Sequence, residues 1–328
     1  MISWGVIGLG NMATKFVNSF TDNPNFFLRG IASLSNLEKF GKRFRVKKEY
    51  QYQTYSDLLK SSEIDAVYIS TVNNTHYDLI KEAIHNDKKI LCEKPYVTNL
   101  RDAKFIYEEI KKKKVSFIEA IAYRSHPIIN EILSIVNNNE IGEIKEIQSS
   151  FGFKIRKVKK KSRFFNKKLG GGSILDLGCY PISFAELFRD HSLDLKLIKT
   201  SGNFCFPDVD DHAEIKYIIN NSILVNAKVS FKENLSNDCI IYGSKKKMRI
   251  ISPWLPEKKT IIEIIGNENY YKKFVLCEDE IYINQLKTVS NFFINDFNDK
   301  TKNLVTIDKS YKIFEILDLW RKDLKDNN

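Results

Sequence analysis

The sequence predicts an α/β fold in two parts: a doubly wound parallel sheet over residues 1–122, then an α/β domain with an antiparallel sheet over 123–328. Three observations predict it. The chain has 328 residues, which at about 100–200 residues per domain means two domains. Its first part alternates short apolar runs with helical patterns, the signature of βαβ units. Its second part carries apolar alternation broken by turn signals such as Asn220-Asn221 and Gly243-Ser244, which marks hairpins.

Taken in order, strands are expected at 3–7, 27–33, 65–70, 89–92 and 115–120, with helices at 11–20, 37–44, 77–86 and 100–113. Helices at 128–136 and 175–188 then bracket a strand at 145–153. Strands follow at 195–204, 213–219, 222–231, 238–242, 248–251 and 260–265. Helices at 281–294 and 309–324 close the chain. The boundary near 122 is a change of period, with no loop-rich linker.

Composition narrows the function. Apolar residues at 43% and charged residues at 28% describe a folded globular chain. No run of 18 apolar residues occurs, so no membrane span is expected. The opening MISWGVIGLG lacks a basic n-region and is not read as a signal peptide; a cytoplasmic location is expected. The net charge of +11 is scattered over runs at 111–114, 154–161 and 245–247. None is interleaved with aromatic residues, so these are expected to be solvated faces and no nucleic acid is expected. Cys92, Cys179, Cys205, Cys239 and Cys277 form no CxxC pair, which signals neither a disulfide framework nor a metal site.

Gly8-Leu9-Gly10-Asn11-Met12-Ala13 is a GxGxxA turn between the first strand and the first helix. Gly8 permits the tight turn, Gly10 lets a pyrophosphate approach the backbone, and Ala13 allows close helix–strand packing. The helix start then favours the phosphates. Dinucleotide binding follows. An NAD site usually places an acid roughly 20 residues after the glycines, for the ribose 2′-hydroxyl. Here the strand end reads Ala32-Ser33-Leu34-Ser35-Asn36, and Glu38 falls inside the next helix. Ser33 and Ser35 can bond a 2′-phosphate, and Lys39 or Arg43 can supply charge. NADP is therefore favoured over NAD, with use of both as the alternative.

Further on stand Cys92-Glu93-Lys94-Pro95 after the fourth strand, TVNNTH at 71–76, GGGSILDLGCY at 170–180, and FPDVDDH at 206–212. Together with the glycine turn they resemble the Gfo/Idh/MocA oxidoreductases over nearly the whole chain. The stretch EAIAYRSHP at 119–127 and Arg163-Phe164-Phe165 are similar to the dihydrodiol dehydrogenase and glucose–fructose oxidoreductase branch. The resemblance implies a Rossmann domain and a second α/β domain with an open, mostly antiparallel sheet, whose outer face makes a homo-oligomer, a dimer or tetramer. It also implies that Thr71, Asn73, Asn74, His76, Glu93, Lys94 and Arg124 join Gly8, Gly10, Asn11, Met12, Ala13, Ser33, Leu34 and Lys39 around the cofactor. A cis peptide at Lys94-Pro95 is compatible with that motif.

Asp176 and Tyr180 stand four apart near the start of one predicted helix, on one face. Exchange between a carbonyl and an alcohol needs a hydride carrier and a group that trades one proton. A tyrosine with a pKa near 10 is a poor base at neutral pH unless a neighbouring ammonium favours the phenolate. The resemblance makes Lys94 that ammonium, Tyr180 the proton donor or acceptor, and Asp176 the group that orients substrate or Lys94. Tyr123 and Arg163 are then expected to touch substrate, and Arg124 and His126 to line the cleft between the domains. Read singly, Tyr180 is equally a core aromatic, Asp176 an early-helix acid and Lys94 a surface charge; His212 stands open between a substrate contact and a structural role. Tyr at 180, where inositol-oxidising relatives carry His, points to a sugar (aldose) or vicinal diol as substrate. The alternative is a cofactor-binding regulator of the same fold without catalysis.

Overall fold

A computed structural model describes residues 1–20, 24–267, 269–296, 298 and 301–327. The chain forms two compact units, one of residues 1–125 with 279–311, the other of 126–278 with 312–328.

The first unit opens with β1 (Ile2–Ile7), α1 (Asn11–Val17), β2 (Phe26–Ala32), α2 (Leu37–Arg43), β3 (Gln51–Tyr52) and α3 (Tyr55–Lys60). It continues with β4 (Ala66–Ile69), α4 (His76–His85), β5 (Lys89–Cys92), α5 (Leu100–Lys113) and β6 (Phe117–Glu119). The second unit holds α6 (Ile128–Asn137), β7 (Ile144–Gly152), α7 (Cys179–Ala185), β8 (Lys196–Phe206), β9 (Val209–Ile219) and β10 (Ile223–Ser230). After β11 (Cys239–Gly243), β12 (Lys247–Ile250), β13 (Lys259–Ile265) and β14 (Tyr270–Leu276), the chain returns to the first unit with α8 (Ile281–Asn295) and β15 (Val305–Thr306). The last helix, α9 (Ile307–Asp326), starts in the first unit and ends in the second.

The first sheet runs β15-β6-β5-β4-β1-β2-β3. Its pairs are parallel except β15 on β6. Every residue of β1 and β4 is buried, as expected for strands covered on both faces. Winding reverses between β1 and β4, which places the ligand crevice of an open α/β sheet outside their C-terminal ends.

The expected single division near 122 does not describe how the chain is partitioned, because α8 belongs with the first sheet. Its Leu286, Val289, Phe292 and Phe293 join one core with Trp4, Phe16 and Tyr68. Trp4 lies 5.6 Å from Phe293 and donates from its indole N–H to Ser290 Oγ at 3.1 Å. An apolar helix goes where it buries most area, and here that surface is on β1 and α1.

The second sheet runs β14-β13-β12-β11-β7-β10-β9-β8. Only β7 with β10 is parallel among its described pairs. Burial alternates along β9 from Asp211 onward and along β10 up to Val229, which gives one core face, on which α7 packs. Four short elements lie outside the sequence expectation. β3 and β15 are two-residue edge strands, too short to show a period. α3 has one apolar turn under a Thr54 cap. In β14 six of seven residues are exposed, so no alternation marks it. The helix expected from 175 begins instead with a wide π turn over Ile174–Gly178.

Candidate active site

The C-terminal ends of β1, β4 and β5 gather most of the predicted cofactor residues. Gly8 has φ +85°, and a Cβ there would lie 2.7 Å from Thr71 Cγ2, so only glycine lets these strand ends approach. Gly10 caps α1 in extended conformation, and a Cβ there would meet nothing within 4 Å. The first turn of α1, with Asn11, Met12 and buried Ala13, carries no acid and no side-chain cap. An open space beside an uncapped helix start is what a diphosphate needs, so these residues fit a dinucleotide.

At the end of β2, Ser33 is buried and its Oγ accepts from the Ser35 N–H at 3.2 Å. Leu34 and Lys39 are exposed. Asn36 takes a left-handed conformation before α2. No carboxylate stands between Ser33 and Leu37.

The 71–76 segment is tied internally: Thr75 donates to Val72 O at 2.8 Å and bonds Thr71 Oγ1 at 2.6 Å. Asn73 begins a short 3-10 turn, and Asn74 is exposed. His76 is fully buried between two carbonyls, Pro95 O at 2.9 Å from Nδ1 and Thr71 O at 3.3 Å from Nε2. Burial lowers its pKa, against both carbonyls. A neutral ring has one N–H, which the shorter contact assigns to Nδ1. His76 thus ties the segment after β4 to the segment after β5, where Lys94-Pro95 is cis.

Sequence reasoning named Glu93 but did not single out Tyr68, Tyr282 or Glu119, which lie about the 93–96 segment. Tyr68 on β4 donates to Glu93; burial, then Glu93, push its phenol well above the usual range. Tyr282 on α8 feels Glu93 and Lys94, and burial raises its pKa. Glu119, 3% exposed, accepts at Oε1 from the Tyr96 N–H at 3.2 Å. Tyr123 is fully buried and Arg124 is 4% exposed, both in the turn after β6.

In the second unit, Gly172 has φ +120°, and a Cβ there would lie 2.5 Å from Asp210 Oδ1. Asp210 Oδ2 accepts from Ser173 Oγ at 2.6 Å and from the Ile174 N–H at 2.7 Å. This carboxyl therefore caps the π turn from inside the protein. Burial raises its pKa, against those two bonds and the Arg321 charge. Asp176, 5% exposed, is ion-paired through Oδ1 with Arg163 Nη1 at 3.0 Å. Arg163 also lies over the Phe164 ring, 4.0 Å from its centroid. Tyr180 packs edge-on against Phe151 at 5.0 Å and Trp254 at 6.4 Å. Lys94 belongs to the first unit, and Asp176, Tyr180 and Arg163 to the second.

Two further histidines, His126 and His212, have polar groups beside them. His126 is 2% exposed and accepts at Nδ1 from the Ile128 N–H at 3.2 Å; burial lowers its pKa to about 4. His212 lies 3.3 Å from Ser230 Oγ and 3.4 Å from Glu233. Lys154, Arg156, Lys157, Lys159, Lys160 and Lys161 are all exposed. No helix among the described residues is long and apolar enough to cross a membrane.

Comparison with known proteins accords with this geometry. Residues 2–120 match the oxidoreductase family with NAD-binding Rossmann fold, and 129–249 match the Gfo/Idh/MocA C-terminal domain. A trans-1,2-dihydrobenzene-1,2-diol dehydrogenase from Xenopus tropicalis is 30% identical over 273 residues, covering 82% of this chain and 80% of that protein. An aldose-aldose oxidoreductase from Caulobacter crescentus superposes with a TM-score of 0.88 at 17% identity, covering 100% of this chain and 98% of the other. A 3-ketoreductase from Actinomadura kijaniata, in complex with NADP and TDP-benzene, gives 0.86 at 19% identity, covering 98% and 97%. These two structural likenesses speak for the fold alone. The glycine turn, the sheet order and the matches over both halves make this chain a member of the Gfo/Idh/MocA family of NAD(P)-binding oxidoreductases.

Proposed function

We propose that this protein interconverts an alcohol and a carbonyl on a vicinal diol or sugar, with NADP preferred to NAD. The reading is supported most by the 30% identity to a dihydrodiol dehydrogenase across both units. The bound nicotinamide supplies or accepts the hydride. Gly8, Gly10 and Ala13 hold its diphosphate, and Ser33 with Lys39 meets the 2′-phosphate end. Tyr180 donates the proton in reduction and accepts it in oxidation, with the Lys94 ammonium favouring its phenolate. Asp176, ion-paired with Arg163, orients the substrate hydroxyl. The exposed Tyr270, Tyr271, Phe274 and Leu276 of β14 support a homo-oligomer through the second sheet.

The test is turnover of a panel of diols and aldoses with NADP⁺ and NAD⁺, read by nicotinamide absorbance. Tyr180→Phe keeps the ring contacts with Phe151 and Trp254 and removes only the hydroxyl. Turnover should fall by about 10²–10⁴, with dinucleotide affinity unchanged. Lys94→Met should lose as much, and the double variant little more than either, since the two act as a unit. A Tyr180→Phe protein with most of its activity would remove Tyr180 from the proton path.

A further inference from the structure

We propose that Phe164 is a positioning residue for the reaction: its ring holds the Arg163 guanidinium against Asp176, and so fixes the direction in which that carboxylate meets substrate. The inference rests on the role given to Asp176 above. A closed circuit of contacts carries it, all within the second unit. The Arg163 guanidinium lies 4.0 Å from the centroid of the Phe164 ring. Its Nη1 donates to Asp176 Oδ1 at 3.0 Å. The Asp176 N–H donates to Gly172 O at 3.1 Å, and the Gly172 N–H donates to Phe164 O at 2.9 Å. Phe164 thus meets the turn that carries Asp176 twice, once through its backbone and once through its ring.

The Arg163 side chain is 52% exposed. An ion pair made by so exposed a side chain is weak, because holding it costs rotamer entropy and water screens the charge. The ring supplies a second contact, since a guanidinium is drawn to the negative face of an aromatic ring. Phe164 is itself held, packing edge-on against Phe231 at 5.4 Å and Phe153 at 6.2 Å. Core filling does not account for it. The neighbouring Phe165 is 2% exposed and takes the core position, whereas Phe164 is half-buried. A leucine at 164 would keep apolar packing against Phe231 and Phe153, and the backbone bond to Gly172. It would lack the ring face that an aromatic residue offers a cation.

The experiment is a double-variant cycle in kcat/KM, on whichever diol or aldose of the panel above the parent turns over fastest, with dinucleotide affinity measured alongside. Phe164→Leu should lower kcat/KM by about two- to fivefold, the worth of an exposed cation–ring contact, and leave dinucleotide affinity unchanged. Phe164→Tyr, which retains the ring, should keep the parent value. Arg163→Met should lose more than Phe164→Leu. Adding Phe164→Leu to it should change kcat/KM no further, because the ring then has no cation to hold. A packing role alone would give the same loss with and without Arg163, and that result overturns the proposal. So does a Phe164→Leu protein with the parent kcat/KM. An Arg163→Met protein with the parent kcat/KM overturns it whether or not Phe164→Leu folds. Asp176→Asn separates the two readings. If it stays active, the role of Asp176 fails and this inference with it; if it is inactive while Phe164→Leu behaves as the parent, only this inference fails.

Discussion

Two glycine turns open helices in this protein, and they are built oppositely. At the first, a Cβ on Gly10 would meet nothing within 4 Å, and α1 begins without a side-chain cap. At the second, a Cβ on Gly172 would fall 2.5 Å from Asp210, which already accepts from Ser173 and Ile174. The same residue type thus serves two purposes. One glycine leaves open space that would fit an anion arriving from outside. The other makes room for an anion the protein carries itself, and so fixes the helix that bears Asp176 and Tyr180.

The sharpest way to break this contrast is to put the same side chain into both turns. Gly172→Val collides with a buried carboxyl at φ +120° and should cost more than about 3 kcal/mol in urea unfolding, or prevent folding. At Gly10 the Cβ of a valine would have no neighbour within 4 Å, and φ is an ordinary −87°. Gly10→Val should change stability by less than about 1 kcal/mol yet weaken dinucleotide binding by about 100-fold or more. If the two variants lose stability alike, or Gly10→Val binds as the parent does, the turns are not different in kind.

A smaller effect sharpens what the open turn receives. Ser33→Asp can still accept from the Ser35 N–H, and its charge repels a 2′-phosphate while accepting from a 2′-hydroxyl. Preference should swing toward NAD by about tenfold, or about 1.4 kcal/mol, in the ratio of dissociation constants. A parent that already binds NAD far better than NADP would contradict the assignment. The smallest effect concerns charge outside both turns. Lys159, Lys160 and Lys161 are exposed and screened beyond about 8 Å at physiological salt. Replacing all three by Gln should alter turnover less than about twofold; a large, salt-sensitive loss would mean that the substrate is anionic.

The first glycine turn was legible in the sequence because its chemistry is local: the strand, the turn and the helix are contiguous over 2–17. The second was legible only as a glycine run before a helix, since its partner Asp210 lies 36 residues beyond Ile174. The pair Arg163–Asp176 was likewise named as two expected site residues, but not visible as a bond. Glu119, Tyr68 and Tyr282 carry no spacing signal, because parallel pairing and α8 bring them beside the segment of Lys94. Helix α8 was placed almost residue for residue, but amphipathic pattern does not say which core a helix covers. Strand β14 stayed hidden because six of its seven residues are exposed, so no apolar–polar alternation marks it.

The return of α8 to the first sheet has a consequence for synthesis of the chain. Strands β1 to β6 have all left the ribosome once Glu119 has emerged, yet Trp4 and Phe16 await Leu286, Val289 and Phe293. At roughly 5–20 residues per second, translation of the whole antiparallel sheet intervenes, a delay on the order of 10–30 s. For that interval the nascent first unit presents an apolar face to the cell, the kind of surface that chaperones shield. A fragment cut at residue 125 would hold that face open permanently.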